Sequence, residues 1–140
     1  LWFTEQGANR IGRITPGGTI TEFAGVSFPT GPFGIVAGPD GNLWFTEAIQ
    51  NQIGRITTAG TITEFGAGIT SGAFVSGIAR GPDGNLWFTE VGGNRIGRIT
   101  TGAPAVVASD IPALSHPALA LLGVLLAAIA LVLRRTEPRA

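Results

Sequence analysis

Short apolar segments with a period of two fill the first hundred residues, and one long apolar run without a period fills the end. In Leu43-Trp44-Phe45-Thr46-Glu47, alternation sends Leu43 and Phe45 to one face and Trp44 to the other. Both faces of that strand are therefore apolar, which suits a sheet held between two neighbouring sheets. The same pentamer starts at Leu1, Leu43 and Leu86, a period of 42 and then 43 residues. Each copy is followed by Asn-x-Ile-Gly-Arg-Ile-Thr, with Gly-Pro-Asp-Gly-Asn ahead of the second and third copies. A fixed period of this length marks one supersecondary unit copied side by side.

The pattern predicts strands over Leu1–Glu5, Arg10–Thr15 and Thr19–Phe23 in the first unit. In the second it predicts Gly34–Gly38, Asn42–Glu47, Gln52–Thr57 and Thr61–Phe65. The third unit repeats this from Ser76 to Thr100, with a degenerate last strand over Ala105–Ala108. Pro39-Asp40-Gly41 and Pro82-Asp83-Gly84 read as tight turns, because Pro presets the first corner and Gly tolerates positive φ. Four short strands per unit, apolar on both faces, point to β-propeller blades. In Ile-Gly-Arg-Ile the small residue is expected to let adjacent blades approach closely. The expected fold is all-β, a partial β-propeller of about 2.4 four-stranded blades, since closed propellers take roughly 4–8. The chain begins inside a repeat and contains no Met, so further blades are expected upstream.

The pattern changes after residue 103. Residues 104–116 read as a linker, kept extended around Ile111-Pro112 because proline disfavours helix before it. From Pro117 to Leu133 there are 17 residues without a charge, ten of them Leu, Val or Ile. As a helix this run is about 26 Å long, near the ~30 Å hydrocarbon core of a bilayer. It is expected to be one transmembrane helix over 117–133, followed by a basic tail over 134–140. Arg134 and Arg135 then face the cytoplasm and the blades lie outside.

Charge and composition narrow the partners. Residues 1–103 hold six arginines against seven acids, so no basic patch marks a nucleic-acid partner. The absence of Cys removes disulfides and thiolate metal sites. Gly92-Gly93-Asn94-Arg95-Ile96-Gly97 lacks a Gly-Lys-Ser/Thr ending and precedes a strand, so it is not a phosphate cradle. Asp110, Ser115 and His116 have the composition of a catalytic triad but lie together in a linker with no scaffold to fix them. Trp2, Trp44 and Trp87 are expected to fill the space between blades. Glu5, Glu47 and Glu90 recur at one position per blade. They read either as solvated strand ends or as carboxylates near a channel able to hold a hard cation, with Glu47 and Glu90 the candidate metal ligands.

Asn-Leu-Trp-Phe-Thr-Glu, Asn-Arg-Ile-Gly-Arg-Ile-Thr and Thr-Ile-Thr-Glu-Phe, in this order, resemble the blades of the virginiamycin B lyase (streptogramin lyase) family. The resemblance covers residues 1–100. It implies a seven-bladed propeller and an enzyme that opens the lactone of type B streptogramins by elimination, with Mg²⁺ and a histidine base. In that family the histidine stands 14 residues before a strand-end glutamate. Glu47 and Glu90 match the glutamate, whereas Phe33 and Ser76 stand where the histidine belongs. The tail resembles the IPTL-type C-terminal sorting signals handled by exosortase-like membrane transpeptidases of Gram-negative bacteria. Ile111, Pro112, Leu114 and Ser115 carry that likeness, with the apolar span and then Arg134 and Arg135. Ala113 replaces the usual Thr, and His116-Pro117 replaces a polar-Trp pair.

Two functions follow as expectations. One is a propeller displayed at the cell envelope, anchored through the tail, that binds an unknown ligand or serves as a scaffold. The other is a streptogramin lyase whose catalytic blade lies outside these residues. The membrane and an exosortase-like processing enzyme are the expected partners of the tail.

Overall fold

The computed structural model describes residues 1–29, 31–102 and 106–109. They form eleven strands: β1 Trp2–Glu5, β2 Arg10–Ile14, β3 Ile20–Phe23, β4 Pro32–Ala37, β5 Leu43–Glu47, β6 Gln52–Ile56, β7 Ile62–Phe65, β8 Val75–Arg80, β9 Leu86–Glu90, β10 Arg95–Ile99 and β11 Val106–Ser109. Three antiparallel sheets result, in the orders β1-β2-β3, β4-β5-β6-β7 and β8-β9-β10-β11. Each is one blade. The described residues therefore make a three-stranded sheet and two four-stranded blades, the strand count the pattern predicts, with β11 closing the third sheet along β10. The expected last strand at Ala105–Ala108 sits one residue later, at Val106–Ser109.

The meander follows from the turns. Gly41 adopts φ +78°, and its amide donates to the Gly38 carbonyl, closing the corner that Pro39 opens. The inner strands start earlier than the pattern predicted, at Pro32 and Val75 rather than Gly34 and Ser76. The reason is a register shift between Pro32 and Ile35, and again between Val75 and Ile78, which lets the strand resume pairing with Glu47 and Glu90. Pro32 is tolerated as a first strand residue.

Blades stack through their faces. Leu43 and Phe45 point back into a core with Ile11, Val26 and Ile56, and Trp2, Phe23, Ile35 and Ile62 border it. Trp44 points forward into a second core with Ile53, Val75, Leu86, Phe88 and Ile99. The central sheet is thus covered on both sides, as its two apolar faces require. Strand β4 packs against both β1 and β8, which sets the first strand of each unit on the inner side. The glycine of Ile-Gly-Arg-Ile serves a different contact from the expected one. A Cβ at Gly54 would collide with the ring of Phe45 on the neighbouring strand of its own blade, and Gly12 and Gly97 stand in the same relation to Phe3 and Phe88. The small residue admits a ring within the sheet rather than the next blade.

On the forward face, each blade stacks an arginine over aromatic rings. The Arg55 guanidinium carbon lies 5.6 Å from the ring centroids of both Trp44 and Phe65, and Arg13 covers Trp2 and Phe23 at 5.5 Å. Arg98 lies 5.8 Å from Trp87. Among the described residues no helix is long and apolar enough to cross a membrane. The expected span over 117–133, the linker and the basic tail lie outside the described residues.

Candidate functional site

The register shift at the start of each inner strand leaves a backbone amide and a carbonyl unpaired, and the threonine of the pentamer meets both. Thr46 Oγ1 accepts from the Gly34 amide at 2.9 Å and donates to the Ser76 carbonyl of the next blade at 2.6 Å. Thr4 donates to the Phe33 carbonyl at 2.7 Å, and Thr89 accepts from the Gly77 amide at 2.9 Å. Phe33 and Ser76 are therefore held in place by the preceding blade. Phe33 is 53% exposed and carries no proton-transfer group, and Ser76 is half-buried. Neither residue supplies an imidazole.

Asparagines make a second clasp between blades. Asn9 and Asn51 take φ 58° and 54°, a region asparagine enters more readily than most residues. Asn51 Oδ1 accepts from the Phe74 amide at 2.6 Å. Asn9 Oδ1 accepts from Gly31, while its Nδ2 donates to the Val26 and Ser27 carbonyls.

Of the strand-end glutamates, Glu5 is half-buried, and Glu47 and Glu90 are not solvated. Glu47 is 0% and Glu90 1% exposed, and none of their four carboxylate oxygens has a donor partner. They stand at the same position of successive sheets, in β5 and β9, and the described residues contain no group of three or more His, Cys, Asp or Glu fit for a metal. Glu47 has Glu64 for a neighbour. Burial, and then the negative charge of Glu64, push the Glu47 carboxyl up to about 8. Glu64 itself accepts from the Ser27 amide at 2.7 Å and the Ser27 hydroxyl at 2.6 Å.

Two arrangements were missed in the sequence. Gln52 faces Glu47 across the ladder, where the other blades carry Arg10 and Arg95, a difference visible on aligning the repeats. The turn aspartates also have partners. Asp40 accepts from the Asn42 amide and side chain and from the Trp44 indole at 3.0 Å, and Asp83 does the same for Asn85 and Trp87. Burial raises the Asp40 carboxyl, but these hydrogen bonds outweigh it and hold the group below its ordinary value. For Asp83 the bonds from Asn85 and Trp87 lead, with the same net direction. The recurring Asp-x-x-x-Trp spacing is the signal that could have found them. The sorting-signal residues Ile111, Pro112, Leu114, Ser115, Arg134 and Arg135 lie outside the described residues.

With this geometry in place, known proteins offer a frame. The model of the virginiamycin B lyase family matches residues 1–117, and the IPTL-CTERM motif matches residues 111–136. No curated protein matches the chain. Among solved structures, selenomethionine-substituted virginiamycin B lyase from Staphylococcus aureus is 46% identical, with a TM-score of 0.72 over 79% of this chain. A catalytically inactive histidine-to-alanine variant of the S. aureus lyase, with quinupristin, is 46% identical with a TM-score of 0.70 over 80% of this chain. A streptogramin B lyase structure is 43% identical, with a TM-score of 0.69 over 78%. The chain spans 38%, 38% and 37% of those three proteins.

Proposed function

The chain belongs to the virginiamycin B lyase family, and we propose that its blades serve a binding or scaffolding role at the cell envelope rather than catalysis. One observation carries the reading. Both described inner strands put a residue without an imidazole, Phe33 or Ser76, at the position that matches the family's histidine, 14 residues before Glu47 and Glu90. In the S. aureus lyase a histidine-to-alanine variant is catalytically inactive, so a histidine is needed by that enzyme. The IPTL-CTERM motif over residues 111–136 supports an extracytoplasmic, membrane-anchored placement in a Gram-negative envelope, with an exosortase-like enzyme acting at Ile111-Pro112. The ring of cation-holding carboxylates proposed from Glu47 and Glu90 would then be a property of the scaffold.

A second reading has one observation in its favour. Identity of 46% to a lyase is high, and the chain spans 38% of that lyase's length, so a histidine-bearing blade elsewhere in the same polypeptide would make an eliminase. The test is linearisation of quinupristin by the purified chain with Mg²⁺. No turnover is expected. Turnover abolished by Glu47→Gln would transfer the active site to these blades and overturn the binding reading.

A further inference from the structure

The two ends of the stacked blades present different chemistry. The turns after β1, β5 and β9 share one end, because each follows the pentamer's glutamate and leads into the strand paired with it. The links into β4 and β8 lie there too, since Pro32 and Val75 pair with Glu47 and Glu90. Contacts between blades join these segments into one surface. The Gly31 amide donates to Asn9 Oδ1, and the Ala48 amide donates to the Gly31 carbonyl. The Phe74 amide donates to Asn51 Oδ1, and the Val91 amide donates to the Phe74 carbonyl.

That surface is apolar and uncharged. Phe28, Phe33, Ile49, Phe74 and Val91 all belong to it, each more than half exposed. Among the described residues the other large exposed apolar side chains are Leu1 and Ile20, toward the opposite end, and Ile96 on the forward face of blade three. Scattered apolar groups on a surface are ordinary, whereas a contiguous set marks a place of interaction. Residues 6–9, 24–31, 48–51, 66–74 and 91–94 contain no Asp, Glu, Lys, Arg or His. The charges that border them are engaged or covered. Arg10 pairs with Glu22, Arg95 donates to Thr70, Glu5 is half-buried, and Glu47 and Glu90 are buried. The turns of the opposite end carry Asp40 and Asp83.

The chain leaves the blades at the same end. Strand β11 runs antiparallel to β10, and its last residue, Ser109, pairs with Ile96, one residue past the start of β10. The uncharged run begins at Pro117, and the steps from Ser109 to it span at most about 28 Å fully extended. A five-residue strand is about 17 Å tall, so a path back to the opposite end would use more than half of that reach. We propose that this end of the blades lies against the lipid bilayer into which the tail inserts. Phe28, Ile49, Phe74 and Val91 then enter the headgroup region, where apolar side chains leave water. This contact rests on the anchoring reading of the tail, and it holds for a binding protein and for a lyase alike.

The chain contains no cysteine, so a single introduced thiol can carry one environment-sensitive fluorophore. In the full chain, Val91→Cys and Ile49→Cys place the label at the apolar end. Ala59→Cys places it in the exposed turn between β6 and β7, at the opposite end. Each labelled chain is reconstituted into phosphatidylcholine vesicles that carry a headgroup-level nitroxide lipid, and iodide serves as the aqueous quencher. Emission at positions 91 and 49 should shift to the blue of that at 59, be quenched by the nitroxide and be shielded from iodide. The label at 59 should show the reverse. Adding Phe28→Ser and Phe74→Ser should weaken nitroxide quenching at position 91. Labels that behave alike at the two ends, in vesicles that hold the chain, overturn the bilayer contact and leave the anchor standing. A chain recovered apart from the vesicles removes the anchor and the contact with it. A label at 91 shielded from iodide yet untouched by the nitroxide means that protein covers this end, which also overturns the contact.

Discussion

In blade one, Arg10 faces Glu5 and pairs with Glu22; in blade two, Gln52 takes its place between Glu47 and Glu64. Burial differs along with charge. The Arg10 and Glu22 side chains are about half exposed, at 47% and 44%, so water screens their pair and its worth is about 0–1 kcal/mol. Glu47, at the end of β5, is wholly inaccessible. The same glutamate of the repeat is therefore half-buried in one copy, as Glu5, and a fully buried acid without a hydrogen-bond partner in the next, as Glu47. Sequence identity between repeats sets the backbone position. The neighbouring blade sets the electrostatic cost.

The largest expected difference between the two blades concerns packing. Phe45 is buried between sheets, whereas its counterpart Phe3 is half-buried. Phe45→Ala should cost about 3–5 kcal/mol in denaturant unfolding, the usual range for deleting a core ring. Phe3→Ala should cost clearly less. Equal costs would break the contrast between a covered and an open rear face.

A smaller effect comes from protons. The Glu47 carboxyl is raised from 4.5 to about 8, so between those values the folded chain keeps a proton that the unfolded chain has released. Stability from this group is therefore highest below about pH 4.5, falls as pH rises, and levels off above about 8. Glu47→Gln, measured in EDTA, should flatten that part of the pH–stability curve. A slope left unchanged by the substitution would assign it to other groups.

Much of the fold was legible because strand, turn and repeat signals agree. Leu43-Trp44-Phe45 has apolar groups on both faces, and the structure places cores on both faces. Pro39-Asp40-Gly41 closes the turn its chemistry predicts. The bulges at Pro32–Ile35 and Val75–Ile78 were hidden, because a shifted register leaves no mark on a period of two. The burial of Glu47 was hidden for another reason. A strand-end carboxylate looks solvated until the neighbouring blade is placed, and only the exchange of Arg10 for Gln52 signals that its surroundings differ. The roles of Thr46 and Asn51 depend on contacts across blades, which no local pattern encodes.

The tail carries the functional account furthest from the blades, and its reading rests on the 17 uncharged residues over 117–133 and the motif over 111–136. The most direct test is membrane fractionation of cells expressing the chain, combined with external protease. The account expects blades in the membrane fraction of chains with an intact tail, digestion only after the outer membrane is permeabilised or when the blades are surface-displayed, and soluble blades after deletion of 117–140. Blades that stay cytoplasmic, or that fractionate as soluble with the tail uncut, would contradict it.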